Sequence, residues 1–90
     1  MDTELLRVII RDKLKNGVLP QNSIPRIWGG PGQEERCDAC EELVLEAQML
    51  MEGISEDGRG LQMHVQCFYL WDKERHAVGH APSEPTGSGL

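Results

Sequence analysis

Leu6, Ile9, Ile10 and Leu14 recur at three- and four-residue spacing near the start of the chain, the period of one face of an α-helix. Asp2 or Thr3 is placed to cap that helix, and Gly17 stands where a left-handed C-terminal residue belongs. The spacing predicts an amphipathic helix over residues 1–17. Arg7, Arg11 and Lys15 are then expected on the side away from the apolar stripe, as a solvated basic face.

Residues 43–65 carry two signals. By propensity, LVLEAQMLME favours a helix. By pattern, Ala47, Met49 and Met51 alternate with Gln48, Leu50 and Glu52, and Leu61, Met63 and Val65 alternate with Gln62 and His64, which is the period of a strand. Between the runs, Glu56-Asp57-Gly58-Arg59-Gly60 is a turn signal. A β-hairpin is the preferred reading, with Met49, Met51 and Met63 filling the core.

A second helix is expected over residues 66–78, with Cys67, Leu70, Trp71 and Val78 on one face and Phe68 at its border. Glu74 interrupts that face, so only partial burial is expected. Residues 79–90 are rich in Pro, Gly and Ser and have little to bury, which predicts a flexible tail. Residues 18–36 hold three of the five prolines and three of the ten glycines and read as a connector. Its "WGGPG" is not a phosphate loop: Pro31 removes a donor, no Lys-Ser/Thr pair follows, and no strong strand signal precedes it. A turn leading into residues 37–78 is the expectation, with Trp28 as a core or covering residue.

Composition changes this picture by asking for a staple. Ninety residues make one small domain at most, with a marginal apolar core. The aromatic residues are only two Trp, one Tyr and one Phe. Chains of this size usually add a disulfide, a metal or a partner chain. Charge is uneven within the net of −6. Residues 1–30 carry five basic and three acidic side chains, net +2; residues 31–76 carry four and eleven, net −7. An acidic body repels a polyanion, which disfavours nucleic-acid binding by that part.

The N-terminus places Asp2 and Glu4 before its apolar part and interrupts it with Arg7, Arg11 and Lys13, unlike a signal peptide. No apolar stretch approaches the ~18 residues of a membrane helix. With three cysteines, an odd number, a secreted disulfide framework fits poorly. The expected location is cytoplasmic, with no membrane contact.

The staple is legible in the cysteines. Cys37 and Cys40 are three positions apart in "RCDACEE", and His64 and Cys67 repeat that spacing in "HVQC". Together they supply three thiolates and one imidazole, a full tetrahedral set for one zinc ion, and they use every cysteine in the chain. A redox dithiol fits less well, because Glu34, Glu35, Asp38, Glu41 and Glu42 surround the first pair and oppose a lowered thiol pKa. A disulfide would strand Cys67. His76 and His80 are isolated and read as surface residues. Four protein donors leave no open position for water, so the site is expected to be structural. No Ser/His/Asp set or H-E-x-x-H helix suggests an enzyme.

A Cys-x2-Cys loop, a hairpin and a helix carrying ligands in its first turn is similar to the treble-clef zinc finger. The spacing C-x2-C-x23-H-x2-C also resembles the first zinc module of LIM domains, over residues 37–67. It departs from LIM domains where a second Cys pair should follow, since this chain runs on as Phe68-Tyr69-Leu70-Trp71. With its helix, "RIWGGPG", Cys pair and "HVQC…W", the whole chain is similar to short bacterial proteins, and that similarity implies no activity.

The fold expected is therefore α+β: a small zinc-stabilised, treble-clef-like domain of knuckle, β-hairpin and helix, preceded by an amphipathic helix. The resemblance implies a platform for contacts, and the charge distribution favours a protein partner. The N-terminal helix would pack on the domain, meet a partner helix or form a homodimer. The alternative is a nucleic-acid-binding regulator using Arg7, Arg11, Lys15 and Arg26.

Overall fold

The computed structural model describes residues 2–80. Helix α1 (Thr3–Lys15) is followed by strands β1 (Arg26–Pro31), β2 (Glu35–Arg36), β3 (Leu43–Val44), β4 (Met49–Ile54) and β5 (Gly60–His64), and by helix α2 (Val65–His80). The chain is α+β. Strands β1, β4 and β5 form an antiparallel sheet in the order β1-β4-β5, while β2 and β3 make a separate two-stranded ribbon.

Helix α1 begins as its sequence requires. Asp2 is the N-cap, its carboxylate accepting from the Leu5 N–H at 3.2 Å. Gly17, at φ +78°, ends the helix in the left-handed region. Leu6, Ile10 and Leu14 are buried, and α1 lies against α2. Leu6, Ile10 and Leu14 of the apolar stripe thus pack within the chain, while Ile9 is half-buried. Arg7 and Arg11 depart from expectation. Instead of pointing away from the packed side, their Nε atoms reach Glu74 of α2 at 2.9 and 3.0 Å.

That pairing also corrects the reading of Glu74. Cys67, Trp71 and Glu74 fall at helical spacing on one face of α2 and all three are buried, Glu74 to 2% exposure. A carboxylate there is tolerated because two guanidinium groups hydrogen-bond it. Burial acts to raise the Glu74 pKa, but Arg11 and Arg7 outweigh it and hold the carboxyl below the ordinary range. Trp71, 1% exposed, donates its indole N–H to the Pro20 carbonyl at 2.9 Å and so ties α2 to the segment after α1.

The hairpin of β4 and β5 forms with Leu50 opposite His64, Met51 opposite Met63 and Gly53 opposite Leu61. The methionines divide, against the expectation that all three are core. Met63 is buried, Met51 is half-buried and Met49 is 51% exposed, while Leu50 fills the core position that the alternation assigned to the polar face. Both faces of the hairpin are partly covered, so simple alternation misassigns Leu50.

The connector is the larger correction, because residues 26–31 are a strand. Its partner β4 lies some twenty residues away in sequence, with Arg26 opposite Ile54 and Pro31 opposite Met49. Local pattern carries little of this, since Gly29, Gly30 and Pro31 have poor strand propensity. The glycines have packing reasons. A Cβ on Gly29 would sit 3.4 Å from the Met51 sulfur and 3.6 Å from the Met49 sulfur. One on Gly32 would run into the main chain of Val44 and Leu45. "WGGPG" is therefore an edge strand running past β3, not a loop for phosphate. Helix α2 also extends to His80, into residues expected to begin the tail; the expected tail over 81–90 lies outside the described residues.

Candidate metal centre

The ribbon of β2 and β3 presents the first cysteine pair. Glu35 pairs with Val44 and Arg36 with Leu43, and the chain turns through Cys37-Asp38-Ala39-Cys40 between them. The Cys37 N–H bonds the Glu42 carbonyl at 2.9 Å, and the Glu41 N–H bonds the Cys37 carbonyl at 2.8 Å. Closing so tight a turn puts Glu41 at φ +68°, a region few non-glycine residues occupy. Its side chain is held by Lys13 at 2.8 Å and its carbonyl by Arg36 at 3.0 Å.

The turn is docked onto the sheet by Asp38. Its N–H donates to the Gln62 carbonyl and its carboxylate accepts from the Gln62 N–H, each at 2.8 Å. This reciprocal pair lines Cys37 and Cys40 up with the end of β5. Lys13 of α1 secures the other side, its ammonium donating to the Asp38 and Ala39 carbonyls at 3.0 and 2.9 Å. Sequence reasoning missed both residues. The Lys13 contacts join positions about 25 residues apart, and no local pattern marks them.

The second pair comes from the join of β5 and α2. His64 is the last residue of β5, and Cys67 lies in the first turn of α2. That turn contains no acidic residue, so the sulfur of Cys67 is the group placed at its partly positive end, which favours its thiolate form once a metal is bound.

All four predicted donors meet. One ligand atom from each of Cys37, Cys40, His64 and Cys67 lies within 4.8 Å of every other. The His64 Nδ1 is 3.4 Å from the Cys40 sulfur and 3.9 Å from the Cys67 sulfur. A tetrahedral ion at usual zinc distances gives sulfur–nitrogen edges of about 3.6 Å, and the two values straddle it. The other ring nitrogen settles the tautomer. Nε2 lies 3.0 Å from the Leu43 carbonyl, which can only accept, so Nε2 carries the proton and Nδ1 turns its lone pair to the sulfurs.

The three thiols perturb one another's acidity. Cys37 is drawn down to about 4, chiefly by the hydrogen bond from Cys67, against the opposing effect of burial. Cys67 is pushed up by that same bond and by burial, and Cys40 is pushed up by burial. One thiolate forms readily, and its charge then opposes the next. A divalent ion among the sulfurs removes this conflict, and three sulfurs with one imidazole are donors that suit zinc. The group is positioned to bind one metal ion.

Four further residues are the candidate nucleic-acid face, and the structure places them on α1 and at the start of β1. Arg7 and Arg11 bind Glu74; Lys15 ends α1 and Arg26 begins β1, both exposed. Among the described residues no helix is long and apolar enough to cross a membrane. The chain matches no family model, no curated protein and no solved structure.

Proposed function

We propose that the chain is a structural zinc module that serves as a protein–protein interaction or regulatory adaptor. The observation that carries this reading is the convergence of Cys37, Cys40, His64 and Cys67 from the ribbon and the β5–α2 join. Four protein donors close a tetrahedron and leave no position for a substrate or an activated water, which argues against an enzyme. Ribbon turn, hairpin and ligand-bearing helix follow one another in the order of a treble clef, and we read the centre as that kind of finger. Three ligating thiols persist in a reducing compartment, which supports a cytoplasmic location.

An acidic body favours a protein over a polyanion as partner, and the engagement of Arg7 and Arg11 by Glu74 weakens the basic-helix alternative. Cobalt substitution tests the closed site. A four-coordinate thiolate-rich spectrum that added azide leaves unchanged is the expected result; a spectrum shifted by azide would reveal an open position and overturn the structural reading. Titration of the metal-loaded chain with DNA and RNA at two salt concentrations tests the partner class. No binding at low salt is expected, and affinity that rises as salt falls would install the regulator instead.

A further inference from the structure

The edge of the sheet offers a site that the zinc centre does not use. Trp28, Glu52 and Gln62 stand side by side in one row across β1, β4 and β5. Trp28 is 46% exposed, and its indole N–H is fixed to the Glu52 carboxylate at 3.0 Å. The cleft over the β4–β5 side of this row measures ≈ 430 Å³ and is lined by Trp28, Asp38, Glu52, Ile54, Leu61 and Gln62 with Gly53 and Gly60. No cationic side chain lines it. Lys13 is spent on the ribbon turn, and Arg59 binds the Gly17 and Val18 carbonyls at 3.1 and 3.2 Å.

The neighbouring backbone has a matching vacancy for a strand. The Gly32 N–H bonds the Gln48 carbonyl at 3.0 Å, which continues the β1–β4 register. By alternation along an antiparallel pair, Arg26, Trp28 and Gly30 turn their main-chain groups to β4, and Ile27 and Gly29 turn theirs outward. No strand among the described residues pairs with that outer edge. Pro25 and Pro31 occupy the flanking outward positions, so they limit the edge to a short segment and guard it against open-ended pairing.

We propose that β1 takes up a short extended segment of a partner protein, which sets a lysine or arginine side chain against the exposed indole of Trp28. A strand added to β1 places alternate side chains in the row of Trp28 and Glu52. A long cationic side chain there lies beside the Trp28 indole, with the Glu52 carboxylate that holds that indole next in the row. The net −7 of residues 31–76 draws a basic segment toward this face. The inference rests on the reading of the chain as an interaction module and supplies the chemistry of its partner.

The test uses the metal-loaded chain and an acetylated, amidated Val-Thr-Lys-Thr-Val peptide, with arginine and glutamine counterparts, followed by amide and indole NMR signals. The lysine and arginine peptides should move the Trp28 indole and the Ile27 and Gly29 amides, and bind about three- to tenfold tighter than the glutamine peptide. Glu52→Gln should remove most of that preference, and Trp28→Ala should weaken binding of both basic peptides. Equal binding of the glutamine peptide, or Trp28 signals that ignore the lysine peptide at millimolar concentration, would overturn the proposal. A chain that folds without metal would sink the zinc reading alone, whereas a metal-loaded chain with a silent Trp28 would sink this one alone.

Discussion

The ring of His64 donates from Nε2 to the main-chain oxygen of Leu43, 3.0 Å away, and so points Nδ1 at the sulfurs of Cys40 and Cys67. One hydrogen bond thus joins the two halves of the site, since Leu43 belongs to the ribbon and His64 to the sheet. His64→Ala should lose metal under a chelator concentration that leaves the parent loaded. His64→Cys, which restores a fourth donor, should retain far more than His64→Ala. Chelator competition with a zinc dye measures both.

Cys37 and Cys67 stand on different elements but complete the same tetrahedron. Cys67→Ser should weaken metal retention as severely as Cys37→Ser does, with both variants falling well below the parent in the same competition. A Cys67→Ser protein that holds metal normally would remove α2 from the site.

Lys13 is the point where α1 meets the ribbon turn. Lys13→Met keeps the aliphatic stem but removes the ammonium that bonds the Asp38 and Ala39 carbonyls. Outer partners that orient a metal loop typically contribute about 10- to 100-fold in metal affinity. The lower end is expected here, because Lys13 holds the loop and not a ligand atom. Zinc affinity by competition checks it, with the helical content of the loaded protein unchanged.

Glu74 carries a pH signature. Its carboxyl lies below the ordinary range because Arg11 and Arg7 outweigh burial. A depressed carboxyl stabilises the fold fully above its unfolded value, near 4 on the ordinary scale at about pH 4, and that contribution fades as pH falls through the lower folded value. Glu74→Gln should therefore cost about 1–3 kcal/mol near neutral pH. Urea unfolding of both proteins should show the difference shrinking as acid protonates Glu74.

The glycines of "WGGPG" are not equivalent. Nothing lies within 4 Å of a Cβ built on Gly30, while one on Gly32 would fall 2.8 Å from the Val44 carbonyl carbon and closer still to two oxygens. Gly30→Ala should change stability by under about 1 kcal/mol, and Gly32→Ala should cost about 1–3 kcal/mol or more. Parallel urea titrations separate the two.

The four donors were legible because spacing along the chain encodes them directly: each pair is local, and a tetrahedral ion needs two such pairs. The two helices and the hairpin were legible for the same reason, through periodicity and a turn signal between the strands. What was hidden depends on contacts between distant residues. The strand at 26–31 exists because β4 accepts it, with methionine sulfurs covering Gly29. Glu74 looked like a flaw in the apolar face of α2 because its partners, Arg7 and Arg11, lie more than sixty residues earlier. Leu50 was put on the polar side because alternation assumes one dry face, and this hairpin is covered in part on both.

Metal content followed by chelator challenge tests the central claim most directly. One zinc per chain, with loss of cooperative unfolding once a chelator removes it, is the result the structure predicts, since metal binding in such a site supplies on the order of 10 kcal/mol to folding. A chain purified without metal that still unfolds cooperatively, with all three thiols free to react, would contradict it.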